Sequence, residues 1–297
     1  MASLDRVPFG RTNLLVPPIA VGCAEIGSMP EAFAYTVEED EGLATVRAFL
    51  ASPINYIDTA ASYNDGESER RVGKVLRELG GLPPGTIIQT KAGADRFVRD
   101  WNPEIVKRRF ERSIELLGVD HFDTVFLHDP EQTTFEIPMA PGGAVDLLLD
   151  YKRQGVFTNI GVAPGPVDLT LQYIETGLFD CVITHNRYTL LDRSAAPILA
   201  AAKARGMTVL NAAPYGSGLL AKGPEAYPRY SYRDAPEEML DTARQIQQIC
   251  ARYDVPMAAA ALQFSMLDPQ IDVTIVGMSK PERVQQTIEF ATMTIPE

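Results

Sequence analysis

Short apolar runs recur along the chain, and the stretches between them carry helical periodicity. Residues 19–22, 55–58, 86–91, 123–128, 159–162, 181–184, 208–211 and 273–276 read as strands. They are brief and mostly apolar, as parallel strands covered on both faces should be. Leu43, Val46 and Leu50 repeat at helical spacing before the second run, and Val106, Phe110, Ile114 and Leu117 do so after the third. Asn102-Pro103 predicts the start of that second helix, an N-cap followed by a proline at the first helical position. Ser279 and Glu282 predict a capping box opening the last helix. Eight strand-then-helix units in succession predict a closed (β/α)8 TIM barrel of class α/β, with residues 1–297 as a single domain. An open doubly wound sheet is the alternative. Against it, no G-x-G-x-x-G follows the first strand. Long polar or Pro/Gly-rich stretches at 23–36, 92–102, 129–143 and 212–236 all follow strands, and βα loops of this kind build the active face of a barrel.

Composition narrows the partners. The chain has 297 residues, 45% of them hydrophobic, and a net charge of −12. That acidity argues against nucleic acid and anionic membrane as partners and leaves a small molecule. Cys23, Cys181 and Cys250 are widely spaced with no C-x-x-C pair, so they read as free thiols of a reducing compartment, with no metal site expected. The opening M-A-S-L-D-R lacks an apolar signal core and no run approaches a membrane span, so the expected location is cytoplasmic.

Chemistry enters where the apolar runs stop. Asp58 ends N-Y-I-D, Lys91 ends T-I-I-Q-T-K and His128 ends F-D-T-V-F-L-H, while Tyr63 lies in the loop after Asp58. Any one of these alone reads as a cap, a surface ion pair or a structural histidine. Together, on parallel strands, they meet at one rim, a site for moving a proton at a carbon–oxygen bond. A free tyrosine, with a pKa near ~10, is a poor base at neutral pH. A neighbouring lysine is expected to lower that pKa, Asp58 to hold the lysine, and His128 to orient the substrate oxygen. No side chain carries a hydride, so a nicotinamide cofactor is implied.

The loops after the seventh and eighth strands suit its phosphates. Gly216, Ser217 and Gly218 let backbone N–H groups approach a pyrophosphate. Ser279 and Lys280 stand where the last helix begins, with Arg283 and Gln286 further along one face for the adenosine end. The bland alternative is that the glycines only shape a loop and the Ser–Lys pair only caps a helix. Phe97, Trp101 and Tyr230 are candidates to line a sugar- or pyridine-sized pocket, or to anchor loops. Asp129, directly after His128, is a candidate for binding hydroxyls or for capping a loop.

N-Y-I-D-T-A-A-S-Y followed by G-E-S-E-R-R-V-G-K-V-L resembles the signature of the aldo-keto reductases. I-I-Q-T-K-A-G, V-F-L-H-D-P, L-N-A-A-P-Y-G-S-G-L-L-A and I-V-G-M-S-K-P-E-R-V match its later segments in order, and G-R-T-N-L-L-V-P-P-I-A-V-G resembles its N-terminal β-hairpin. The resemblance covers nearly the whole chain. It implies NAD(P)-dependent carbonyl–alcohol chemistry on a barrel, with Tyr63 as acid/base supported by Asp58, Lys91 and His128. It also adds Gly22, Cys23, His185, Tyr215, Leu219 and Gly277 to the expected cofactor contacts. Four positions depart from the family's pattern: Ala163-Pro164 replaces Ser-Asn, His185 replaces a glutamine, and Ala212 replaces an aromatic. Met278 stands near the place of the lysine that reads the 2′-phosphate, so NAD, NADP or both are expected. L-H-D-P and N-R-Y-T-L-L-D-R resemble the branch of D-threo-aldose 1-dehydrogenases, L-fucose and galactose dehydrogenases and pyridoxal 4-dehydrogenases. That branch implies oxidation of a sugar or other cyclic hemiacetal to a lactone. The alternatives are an NADPH-dependent carbonyl reductase of aldehydes or ketones, and a non-catalytic nicotinamide-binding protein.

Overall fold

The computed structural model describes residues 4–10, 12, 14–94 and 98–296. A small antiparallel hairpin comes first, β1 (Val7–Pro8) with β2 (Leu15–Val16). Then follow β3 (Ile19–Gly22), β4 (Tyr56–Asp58), β5 (Ile87–Ala92), β6 (Phe122–His128), β7 (Phe157–Ala163), β8 (Cys181–His185) and β9 (Thr208–Ala212). A second hairpin, β10 (Arg229–Tyr230) with β11 (Arg233–Asp234), precedes β12 (Val273–Gly277). Eight of these strands close into a parallel barrel in the order β12-β3-β4-β5-β6-β7-β8-β9. Each barrel strand matches an expected run to within a residue or two at its ends. Closure, not an open sheet, is what the eight alternating units build.

The strands are continuously apolar because neighbouring residues face two different cores. Ala20, Tyr56, Ile87, Phe126, Ile183, Leu210 and Ile275 point into the barrel. Their chain neighbours Val21, Ile57, Ile88, Val125, Val182, Val209 and Val276 point outward. The outward set packs under the helices, against Val46, Phe49, Val72, Phe110, Leu148, Ile174, Leu199 and Leu262. Phe9 and Val16, both fully buried, carry the first hairpin onto the interior cluster.

Helix Pro103–Leu117 opens as expected, with the Asn102 side chain accepting from the Glu104 N–H at 3.0 Å. The last helix does not. It begins at Pro281 after Lys280 and no side chain caps it. Ser279 forms no capping box because Lys280 takes the N-cap position and Ser279 falls one residue before it. Among the described residues, no helix is long and apolar enough to cross a membrane.

Candidate active site

Register brings the titratable residues to one rim. Asp58 ends β4 beside Gly22 on one side and Gln89 on the other. Lys91 lies one residue before the end of β5, and His128 ends β6. Asp58 and Lys91 are each only 3% exposed, so neither is left to solvent. The Lys91 ammonium has three N–H donors and three acceptors in reach: Asp58 Oδ1 at 2.8 Å, the Thr59 carbonyl at 2.9 Å and the Tyr63 phenol oxygen at 3.0 Å. The same Asp58 Oδ1 also accepts from Gln89, whose amide donates at 2.6 Å and whose carbonyl accepts from the Tyr56 hydroxyl at 2.6 Å. Sequence reading passed over Gln89. Its signal was a polar side chain inside an otherwise apolar strand.

His128 forms the adjacent wall. Its Nδ1 pairs with Ser62 Oγ at 3.1 Å, its Nε2 lies 3.4 Å from Asp129 Oδ1, and its ring meets Tyr63 edge to face. Burial pushes the imidazole down from 6.5 to about 4, with Lys91 adding in the same sense, so it is neutral at pH 7. Tyr63 behaves otherwise than expected. Burial raises its phenol well above the ordinary tyrosine value, and the carboxylates of Asp58, Asp129 and Glu25 push the same way. The net direction is upward although the Lys91 ammonium donates to the phenol oxygen at 3.0 Å.

Two cavities meet at these residues and share Asp58, Tyr63, Phe33 and Tyr232 on their walls. The smaller, about 500 Å³, holds Tyr63, Lys91 and His128 together with Glu31, Asp129, Glu131, Gln132 and His185. Gln132 Oε1 is buried there without a hydrogen-bond partner. The Asp129 backbone sits in the left-handed region (φ 45°) as the strand turns into the loop. Phe33 and Tyr232 close one side, their rings edge to face at 5.8 Å. The Tyr227 hydroxyl ties the two loops by donating to the Phe33 carbonyl at 2.9 Å.

Two of the aromatic candidates go elsewhere. Trp101 packs in the outer core and does not line the cavity. Tyr230 is buried among loop residues, its hydroxyl bonded to the Asn186 carbonyl and Thr189. Tyr232 takes its place through the β10–β11 turn, where Ser231 and Tyr232 both have positive φ, the geometry of a tight two-residue hairpin. Phe97 lies outside the described residues.

The larger cavity, about 940 Å³, runs from Tyr63 past Gly22 and Gly277 to Ser279, Lys280, Arg283 and Gln286, with Tyr215 and Ser217 also on its walls. It is roomy enough for a dinucleotide by the scale of small-molecule sites. Lys222, Lys280 and Arg283 put cations along it, as a pyrophosphate and an adenosine need. Gly216 shapes this loop from behind: its φ is +60° and a Cβ there would run into the Tyr230 ring. The remaining expected contacts fall away from the groove. Cys23 and Leu219 are fully buried, and His185 lines the smaller cavity instead. Met278 is buried and offers nothing to the groove. Glu25 lies on these walls too, and sequence reading missed Tyr35 and Lys222 beside it. The Lys222 ammonium sits 4.3 Å from the Tyr35 ring centroid and 4.2 Å from that of Tyr227.

Comparison with known proteins matches residues 18–297 to the Aldo/keto reductase family. A D-threo-aldose 1-dehydrogenase from a Pseudomonas species is 30% identical, over 96% of this chain and 92% of that protein. A pyridoxal 4-dehydrogenase from Microbacterium luteolum is 27% identical over 99% and 94%. The holo form of an aldo-keto reductase from Bacillus halodurans superposes with a TM-score of 0.78 over 99% of this chain and 93% of that one, at 20% identity.

Proposed function

The chain belongs to the Aldo/keto reductase family and is an NAD(P)-dependent oxidoreductase, and we propose that it oxidises the cyclic hemiacetal of a sugar or sugar-like ring to the lactone. The observation that carries this reading is the polar wall of the smaller cavity. Asp129 and Glu131 bring carboxylate acceptors beside Tyr63 and His128, which suits several ring hydroxyls better than an apolar aldehyde. The similarity to an aldose and a pyridoxal dehydrogenase supports it further.

In this reading Tyr63 is the acid/base at the reacting oxygen. Lys91 donates to the phenol oxygen and stabilises charge that develops there. Asp58 keeps Lys91 charged and in place, and Gln89 and Tyr56 position Asp58. Neutral His128, fixed by Ser62 on Nδ1, presents Nε2 to the same substrate oxygen. The Tyr63 phenol first gives its own proton to solvent; the hemiacetal O–H proton then passes to that oxygen as the C–H pair leaves and the C=O bond of the lactone forms, helped by the ring oxygen's lone pair. A nicotinamide bound in the larger cavity would supply the hydride acceptor and, in its oxidised form, one positive charge. Gly22, Tyr215, Ser217, Gly277, Ser279, Lys280, Arg283 and Gln286 are the residues that would hold it.

One observation favours a second reading, reduction of aldehydes or ketones with NADPH. Burial holds the Tyr63 phenol protonated, which suits a proton donor. Absorbance at the reduced-nicotinamide band separates the two. L-Fucose, D-arabinose, both galactose enantiomers, L-glucose and pyridoxal would each be offered with NAD and then NADP. Strong cofactor reduction with one of them is expected. Silence throughout, with NADPH oxidation by simple aldehydes, would replace this reading with the reductase. Silence in both, with tight cofactor binding, would favour a non-catalytic nicotinamide-binding protein.

A further inference from the structure

We propose that Glu25 sets the redox preference of the cofactor groove, holding the oxidised, cationic nicotinamide more tightly than the reduced, neutral one. This rests on the nicotinamide reading of the larger cavity and not on which substrate is oxidised.

The placement comes first. Glu25 opens a short 3-10 turn, Glu25–Gly27, shortly after β3 ends. Its carboxylate reaches across the barrel rim to β12 and fills the space beside Gly277, where a Cβ would run into it. Gly22 and Gly277 are partners in the β3–β12 register, so the carboxylate lies over the seam between two strand ends. It lines the same cavity as Asp58 and Tyr63, and its charge is felt at Tyr63, Tyr35, Tyr227 and Tyr232.

Charge then decides. Hydride transfer at a carbon beside Tyr63 requires the reacting ring at the Tyr63 end of the groove. The two redox forms of the cofactor differ at that end by one positive charge on the ring, with their phosphates unchanged. Asp58 cannot read this difference well, because Lys91 neutralises it at 2.8 Å. Glu25 can. The cation acting on it is Lys222, whose ammonium is spread over the rings of Tyr35 and Tyr227. A carboxylate in a shielded cavity discriminates a cation from a neutral isostere by roughly tenfold or more.

The groups facing Glu25 are Lys222 from helix Leu219–Lys222, Asp58 from β4, Cys23 just after β3, and the four tyrosines named above. Burial lifts its carboxyl to about 7, with Asp58 adding to the lift and Lys222 opposing it. Its charged and neutral forms therefore coexist near neutrality, and the preference for the oxidised form must grow as pH rises through that value.

The test is binding without substrate. Dissociation constants of NAD and NADH, and of NADP and NADPH, would be measured calorimetrically from about pH 6 to about pH 9, on either side of the Glu25 carboxyl. The expected result is a reduced-to-oxidised Kd ratio that rises with pH in the wild type. In Glu25→Gln the ratio should be flat and, at the alkaline end, roughly tenfold lower. A pH-independent ratio in the wild type would overturn the proposal without any variant. So would a Glu25→Gln protein that loses both redox forms equally. Failure of both pairs to bind the wild type would remove the nicotinamide reading itself and the proposal with it, whereas failure of the sugar panel leaves this result standing.

Discussion

Lys91 and Asp58 form a buried ion pair at 2.8 Å beside Tyr63, whose phenol is raised well above its ordinary value by burial, with the Asp58 charge adding to the lift. A lysine beside a phenol lowers its pKa only to the extent that its charge is unopposed. Here the carboxylate opposes it at hydrogen-bond distance. The phenol therefore stays protonated in the structure as it stands, and its deprotonation must be driven by charge brought in alongside.

Tyr63→Phe keeps the ring and removes the atom that exchanges the proton. Turnover should fall by about a hundredfold or more while cofactor Kd stays unchanged. Steady-state kinetics beside a binding titration checks this, and retained turnover would dismiss Tyr63 as the acid/base.

Lys91→Met should cost about 3–5 kcal/mol of stability, because it strands the buried Asp58 carboxylate. The double variant Asp58→Asn with Lys91→Met should regain much of that stability and none of the activity. Denaturant unfolding of the three proteins makes the comparison. A double variant no more stable than the single one would mean that the pair is not coupled in this way.

Tyr232→Ala should raise substrate KM clearly, since its ring lines both cavities and closes against Phe33. Trp101→Phe should leave KM alone and lower the melting temperature, because Trp101 packs in the core. The opposite pattern would restore Trp101 to the substrate pocket.

Acid should loosen the fold through His128. Its folded pKa lies below its unfolded one, so between 6.5 and about 4 the unfolded chain binds more protons and stability falls as pH falls. The loss reaches roughly 3 kcal/mol once pH is below both values. His185 is lowered in the same direction by burial and deepens the effect. Melting temperature against pH for wild type and His128→Asn should show a shallower acid limb in the variant. Parallel limbs would show that His128 carries none of it.

Gly73→Ala should cost about 1–3 kcal/mol although alanine is the better helix former. A Cβ at 73 would run into the Leu116 carbonyl oxygen, and a backbone atom in the neighbouring helix cannot swing aside. Thermal unfolding decides it, and an unchanged melting temperature would mean that the two helices part easily.

The chain on its own determined the barrel and three of the four rim residues' positions, because both are matters of local pattern. A parallel strand facing two cores must be apolar throughout, and a charged residue must stop it. That makes β4, β5 and β6, with Asp58, Lys91 and His128 at or next to their ends, visible in one dimension. What lines the cavities was decided elsewhere. Trp101, Tyr230 and Tyr232 are indistinguishable as aromatic loop residues, and only the folding of loops onto one another separates core anchor from cavity wall. The same holds for Glu25, whose carboxylate faces Gly277 from the far end of the sequence. Closure of the barrel brings β3 and β12 together, and the charge balance at Tyr63 follows from that long-range juxtaposition, which local spacing does not encode.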